Sequence, residues 1–185
     1  DQPNSDMRQW LYNGGLATVA SYIRDYTDEF GQEDSEQLRL QVTDDKEWME
    51  RLPSHIVLDK WRLVHAGYDP RIELDSQEED TLLWIRRPFH RAEKPIDEER
   101  AVVFGHTPTM NLNTTPGTEK WGHPWFSKVH LNDGRSASVG LDTCLFHEER
   151  QPAMLTAYNL QTLEVVRIAR VEQWNEDIRE SVKKV

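Results

Sequence analysis

Ala101-Val102-Val103-Phe104-Gly105-His106-Thr107-Pro108 is an apolar run closed by a glycine, a histidine and a proline. Aromatic and β-branched residues bounded by turn formers read as a short buried strand. The same pattern occurs earlier, in Trp61-Arg62-Leu63-Val64-His65-Ala66-Gly67. Both strands deliver an imidazole at their carboxyl ends. Open α/β sheets form their binding crevices at that edge. Two neutral imidazoles converging there suit a metal ion. His65 and His106 are therefore the first candidate ligands.

Outward from these strands, residues 1–55 read as helical. Asn13-Gly14-Gly15 signals a turn, and Leu16, Val19, Ala20 and Ile23 then share one helical face. A polar stretch from Gly31 to Ser35 breaks the pattern. Trp48, Met49 and Leu52 make a short amphipathic turn before Pro53, with Asp44 and Glu47 spaced as a capping pair. A strand over 56–64 follows. Ser76 and Glu79 have capping-box spacing and predict a helix start, with Arg86 and Arg87 at the helix end. From about residue 125 the pattern is β, with Asn132-Asp133-Gly134 as a hairpin turn. Strands over 153–159 and 163–169 join near Asn159 to Gln161, and the charged tail after Gln173 reads as a terminal helix. The order is helices first, then a mixed or mainly antiparallel sheet. No linker, internal repeat or low-complexity segment divides the chain, so residues 1–185 read as one domain.

The 185 residues suffice for one domain with a core. Seven Trp, five Tyr and five Phe supply apolar area to a chain that is 30% charged. No apolar stretch approaches the roughly 20 residues that span a bilayer. The polar, acidic opening residues resemble no targeting peptide. The single Cys144 excludes an internal disulfide and a cysteine-based zinc site, and fits a reducing, cytoplasmic location. A net charge of −11 argues against a nucleic-acid partner and makes an anionic substrate depend on local positive charge.

Arg86 and Arg87 have two readings. At a helix end they complement the negative end of the dipole. Their forked donors also suit phosphate. Position alone favours the first reading. Asp142 can orient a ligand imidazole through a hydrogen bond, or simply begin a turn. His55, His90, His123, His130 and His147 lack the strand-end context and read as ordinary polar residues.

Taken in order, four stretches carry a resemblance: Leu63-Val64-His65-Ala66-Gly67, Leu82-Leu83-Trp84-Ile85-Arg86, Val103-Phe104-Gly105-His106-Thr107-Pro108 and Leu141-Asp142-Thr143. They resemble the second half of the phosphoprotein phosphatase family, nearest its bacterial and phage-type members and the related diadenosine tetraphosphate hydrolases. Trp10, Asn13-Gly14-Gly15, Thr18 and Ser21-Tyr22 resemble the stretch after that family's Asn-His motif. The resemblance covers most of residues 10–170. It implies the carboxyl-terminal portion of a calcineurin-like metallophosphatase sandwich, an α/β fold. It implies two divalent metal ions, manganese first, with iron or zinc as alternatives. It further implies His65 and His106 as ligands of the second metal and Arg86 as the phosphate-binding residue; Arg87 matches no family position.

The family's Gly-Asp-x-His-Gly, Gly-Asp-x-x-Asp-Arg-Gly and Gly-Asn-His motifs do not occur in this chain. With them go the bridging aspartate and the proton-donating histidine, so no catalytic acid is found here. Cys144 stands where the family has a glycine, and His147-Glu148-Glu149-Arg150 where a glycine pair is common. The resemblance thus implies phosphomonoester hydrolysis by a two-metal activated hydroxide, complete only with an amino-terminal half. It implies a serine/threonine protein phosphatase acting on a phosphoprotein or phosphopeptide. A symmetrical diadenosine tetraphosphate hydrolase and a non-catalytic phospho-ligand-binding module are the alternatives.

Overall fold

The computed structural model describes residues 5–27, 31–32, 34–112, 122–146 and 153–170. Packing groups the chain into two compact units, residues 1–53 and 54–185, although the sequence offers no linker between them.

The first unit is helical. Helix α1 (Ser5–Trp10) and helix α2 (Leu16–Asp25) are separated at Asn13-Gly14, where Gly14 takes φ +109°. That is the turn the glycine pair predicts, because a left-handed residue cannot continue a right-handed helix. Helix α3 (Ser35–Glu50) starts at Asp34, whose carboxylate accepts from Gln37 N at 3.0 Å. Asp44 and Glu47 therefore lie inside a 16-residue helix and cap nothing. The Tyr22 hydroxyl donates to Asp45, tying α3 to α2, and Gln41 Nε2, on α3 itself, donates to the same carboxylate at 2.8 Å. The Asp45 hydrogen bond raises the Tyr22 pKa, with burial adding to it. No residue of α2 or α3 is buried.

The second unit is mixed α/β. Its main sheet has five strands in the order β1-β2-β3-β5-β4, and a separate two-stranded sheet pairs β6 with β7. The strands are β1 (His55–Val57), β2 (Trp61–Val64), β3 (Ala101–Phe104), β4 (Trp125–Phe126), β5 (Ser138–Gly140), β6 (Met154–Tyr158) and β7 (Val165–Ala169). The predicted single strand over 56–64 is instead an antiparallel hairpin, because Leu58 N bonds Trp61 O at 2.8 Å and folds β1 back on β2. The central pairs β2–β3 and β3–β5 are parallel and the outer pairs antiparallel, so the sheet is mixed and not mainly antiparallel. Strands β6 and β7 form the predicted hairpin, with Met154 opposite Ala169 and Tyr158 opposite Val165. The predicted terminal helix after Gln173 lies outside the described residues. No helix among the described residues is long and apolar enough to cross a membrane.

Strand β3 is buried along its whole length, and its alternating side chains feed two cores. Val102 and Phe104 face a cluster with Val64, Tyr68, Leu82, Phe89 and Leu112. Ala101 and Val103 face another with Trp61, Leu131, Ala137 and Val139. Helices α4 (Glu79–Trp84) and α5 (Arg87–His90) cover the first face.

Helix α4 begins at Glu79 without a side-chain cap, so Ser76 and Glu79 are not a capping box. The Gln77 amide is the reason. It accepts from Asp69 N at 2.8 Å and donates to Asp69 O at 3.0 Å and Ile72 O at 2.9 Å, and the backbone at Gln77 is extended. Helix α4 stops at Trp84 and α5 starts at Arg87. Arg86 and Arg87 thus open a second short helix and do not close the first. Pro88 has no N–H to continue α4, whereas the first turn of a new helix tolerates it.

Arg62, in the middle of β2, is 7% exposed, as is its partner Asp97. The guanidinium Nε donates to Asp97 Oδ2 at 2.7 Å. Burial opposes ionisation of Asp97, but Arg62 and the N–H groups of Glu99 and Arg100 outweigh it and hold the carboxyl below its usual range. Deleting Asp97 would strand the buried Arg62 charge, which typically costs about 3–5 kcal/mol.

Gly67 is the tightest point of the first core. It has φ +149°, and a Cβ there would lie 2.3 Å from Phe89 Cδ1. Phe89 is itself buried against Phe104, with ring centroids 5.0 Å apart. Gly67→Ala is expected to destabilise the second unit by about 2–4 kcal/mol, combining backbone strain with overpacking. Urea unfolding measures this, and a change under about 0.5 kcal/mol would show that the approach is not rigid.

Candidate functional site

The parallel register sets Leu63 beside Val103 and Phe104 beside Gly140. Gly105 N donates to His65 O at 2.9 Å, carrying the ladder one residue past β2 and β3. The two imidazoles consequently share one rim of the sheet. Their centroids are 5.0 Å apart and their planes tilted by 57°. His65 is exposed and His106 half-buried. His106 has φ +60°, a conformation that costs a non-glycine residue about 1–2 kcal/mol and that recurs at functional sites.

Arg86 is exposed, and its Nη1 donates to Thr107 Oγ1 at 3.0 Å, one residue past His106. Asp142 follows β5. Its main-chain oxygen accepts from Thr109 N at 2.8 Å, and its carboxylate from Cys144 N at 3.2 Å. His65, Arg86 and Asp142 thus gather around His106, which touches His65 and feels the charges of Arg86 and Asp142. Asp142 begins a turn, and it reaches the His106 imidazole through its charge.

The His106 imidazole is held below its ordinary pKa. Burial does most of this, the Arg86 charge and His65 add to it, and the Trp84 backbone and Asp142 push back. A neutral imidazole is the form that ligates metal. His106 Nε2 is buried without a hydrogen-bond partner among the described residues, as a nitrogen kept for a ligand would be. The pair therefore fits two nitrogen positions of a metal site. No group of three or more His, Cys, Asp or Glu side chains suited to a metal is assembled among the described residues. A zinc-type site needs three or four protein ligands, so the pair supplies part of a coordination shell.

Three participants are not evident from the sequence. Thr107 holds Arg86. Trp84 is 64% exposed and sets its indole edge-on to His106 at 5.5 Å. His90 reads as an ordinary polar residue but is largely buried, stacked on Phe104 with centroids 5.4 Å apart. One signal was available: His90 lies four residues after Arg86 and directly after a core phenylalanine, a helical spacing that carries it towards the clamp.

The chain matches no protein-family model, no curated protein and no solved structure.

His90 gives the site a pH signature. Burial, then Arg86, then His106 lower its pKa to about 4. Unfolded histidine titrates near 6.5. The unfolded chain therefore binds this proton first, and the stability contribution is complete above about pH 6.5 and lost as pH falls towards 4. Between pH 7 and 5 the loss is about 2 kcal/mol, and the lowered pKa of His106 acts in the same direction. Urea unfolding at the two pH values should show this loss in the parent chain and a much smaller one in His90→Gln. An equal loss in both would assign it elsewhere.

Proposed function

We propose that this chain provides one side of a metal-dependent phosphomonoester hydrolase centre of the calcineurin-like type, with phosphoserine and phosphothreonine proteins as substrates. The observation that carries the reading is the triad at the strand rim: two imidazoles 5.0 Å apart, beside a guanidinium tied to Thr107. His65 and His106 would hold the metal. When bound, such an ion acts as a Lewis acid and lowers the pKa of water.

The rest of the chemistry belongs to the chain. Thr107 occupies one N–H of Arg86 and leaves the remaining donors of an exposed fork for phosphate oxygens. Arg86 then stabilises charge that builds on the equatorial oxygens during transfer. Its positive charge also disfavours protonation of His106 and His90, keeping both imidazoles neutral at working pH. The core packing of Phe104, Phe89 and His90 fixes the floor beneath the clamp.

One observation favours a second reading, a dinucleoside tetraphosphate hydrolase. The exposed Trp84 ring beside His106 offers a nucleobase a stacking face.

Manganese and phosphate titrations of the chain test the site. His65→Ala and His106→Ala should each weaken manganese binding at least about tenfold. Arg86→Ala should weaken phosphate binding about 10- to 100-fold, the worth of a charge-assisted hydrogen bond. Two imidazoles are an incomplete set, so the 185-residue chain alone is expected to bind but not to hydrolyse p-nitrophenyl phosphate. Robust manganese-dependent turnover by that chain would overturn the half-site reading. Wild-type affinities in all three variants would remove the site altogether. Comparing a phosphopeptide with diadenosine tetraphosphate as competitors of phosphate separates the two substrate readings.

A further inference from the structure

The segment Arg86-Arg87-Pro88-Phe89-His90-Arg91-Ala92-Glu93-Lys94 holds four permanent cations against one acid, in a chain whose net charge is −11. Arg86, Arg87, Arg91 and Lys94 are all exposed. None of them makes an ion pair among the described residues, although acids outnumber bases along the chain by 33 to 22. Arg91 N donates to Arg87 O at 3.1 Å, so Arg91, which caps the end of α5, stands one helical turn after Arg87. Like charges at that spacing repel by a few tenths of a kcal/mol. The Arg87–Arg91 pair is thus not offset by any acidic partner among the described residues.

The strip is anchored from below and open above. Phe89 is buried between the two arginines, which fixes α5 against the core while Arg87 and Arg91 remain in solvent. It adjoins the phosphate clamp directly, because Arg86 is the residue before Arg87. A ligand whose phosphate is held by Arg86 would lay its neighbouring groups along α5.

We infer that Arg87 and Arg91 are a docking strip for an acidic peptide, which selects phosphoprotein segments with Asp or Glu flanking the phosphorylated residue. The inference rests on the reading of the rim as a phosphate site and names the substrate class of that site. Elsewhere the acidic chain repels such a peptide, so the strip would orient it as well as hold it. Exposed guanidinium–carboxylate pairs are individually weak and sensitive to salt, so the effect is one of selectivity and weakens at high ionic strength.

Fluorescence polarisation with manganese present tests this on the full chain. Three phosphoserine peptides of equal length carry acidic, neutral or basic flanks, and a fourth carries acidic flanks without phosphate. The acidic phosphopeptide is expected to bind about tenfold more tightly than the neutral one at low salt, with the ratio falling towards one at high salt. In the paired variant Arg87→Gln with Arg91→Gln the ratio should approach one at every salt concentration, and Arg87→Lys with Arg91→Lys should restore much of it. Unchanged far-ultraviolet circular dichroism and melting temperature exclude misfolding as the cause. The unphosphorylated acidic peptide should bind weakly, lose binding in the glutamine pair and keep it in Arg86→Ala. Phosphate-competable binding of every phosphopeptide without preference for acid would overturn the strip and leave the phosphatase reading standing. Equal affinity for the acidic peptide with and without its phosphate, undiminished by inorganic phosphate, would overturn the phosphatase reading and keep the strip. Displacement by tripolyphosphate at far lower concentration than by acidic peptide, lost in the glutamine pair, would overturn the peptide in favour of a polyphosphate ligand.

Discussion

The hydrogen bond from Gly105 N to His65 O is the constraint on which the rim depends. Strands β2 and β3 could each present a histidine without the two ever meeting. Parallel pairing with Leu63 beside Val103 fixes the relative height of the strands, and this bond prolongs it by one residue. The next pair of strands repeats the device, with Leu141 N donating to Phe104 O at 2.8 Å and bringing Asp142 to the same edge. Because side chains alternate along a strand, a slip of one residue would turn Val102 and Phe104 out of their core and separate the imidazoles at once. Burial of β3 on both faces makes such a slip prohibitive, so the energy that sets the site geometry comes from the core.

The electrostatics divide into two regions with different tasks. In the sheet, the buried Arg62 is paired with the buried carboxylate of Asp97, which Arg100 also approaches at 3.6 Å. At the rim, Arg86 has a neutral hydroxyl for its partner, so its charge stays available. That contrast is informative. A guanidinium meant only to stabilise the fold would be expected to have a carboxylate beside it, as Arg71 has Asp69 and Arg135 has Asp133. The uncompensated charge costs little where it is exposed, and it lowers the pKa of two neighbouring imidazoles.

The legibility of these features in the sequence follows from how each is stabilised. β3, β6 and β7 were readable because their apolar or alternating runs end at turn residues. The β1–β2 hairpin was not, because its reversal at Asp59-Lys60 uses neither glycine nor proline. Helix α3 was shortened in the reading because its apolar residues are sparse, and a real cap at Asp34 was hidden in a polar stretch. His65, His106 and Arg86 were visible through local pattern and resemblance. Thr107, Trp84 and His90 were not, since what makes them matter is a tertiary neighbour: a clamp, an imidazole and a core ring. The strip at α5 is hidden for a related reason: the sequence pattern puts Arg87 at a helix end, whereas in the fold a helix starts there.

Cys144 shows how a strained turn is accommodated beside the rim. It stands where the resembling family has glycine, and its φ of +68° is a conformation that glycine takes freely. A cysteine there pays about 1–2 kcal/mol of backbone strain. The surroundings offset this: Cys144 is fully buried, Thr143 Oγ1 donates to Met154 O at 2.6 Å, and Cys144 itself bridges to Met154. Burial, reinforced by the Asp142 charge, pushes its thiol pKa up and leaves it a small hydrophobic residue. The strained turn keeps the Cys144 N–H on the Asp142 carboxylate. Asp142 is thereby held in one orientation with part of its hydrogen-bonding capacity already used, so it acts on His106 through its charge. The turn at Cys144 therefore fixes a carboxylate beside His106, while the cysteine side chain itself is buried.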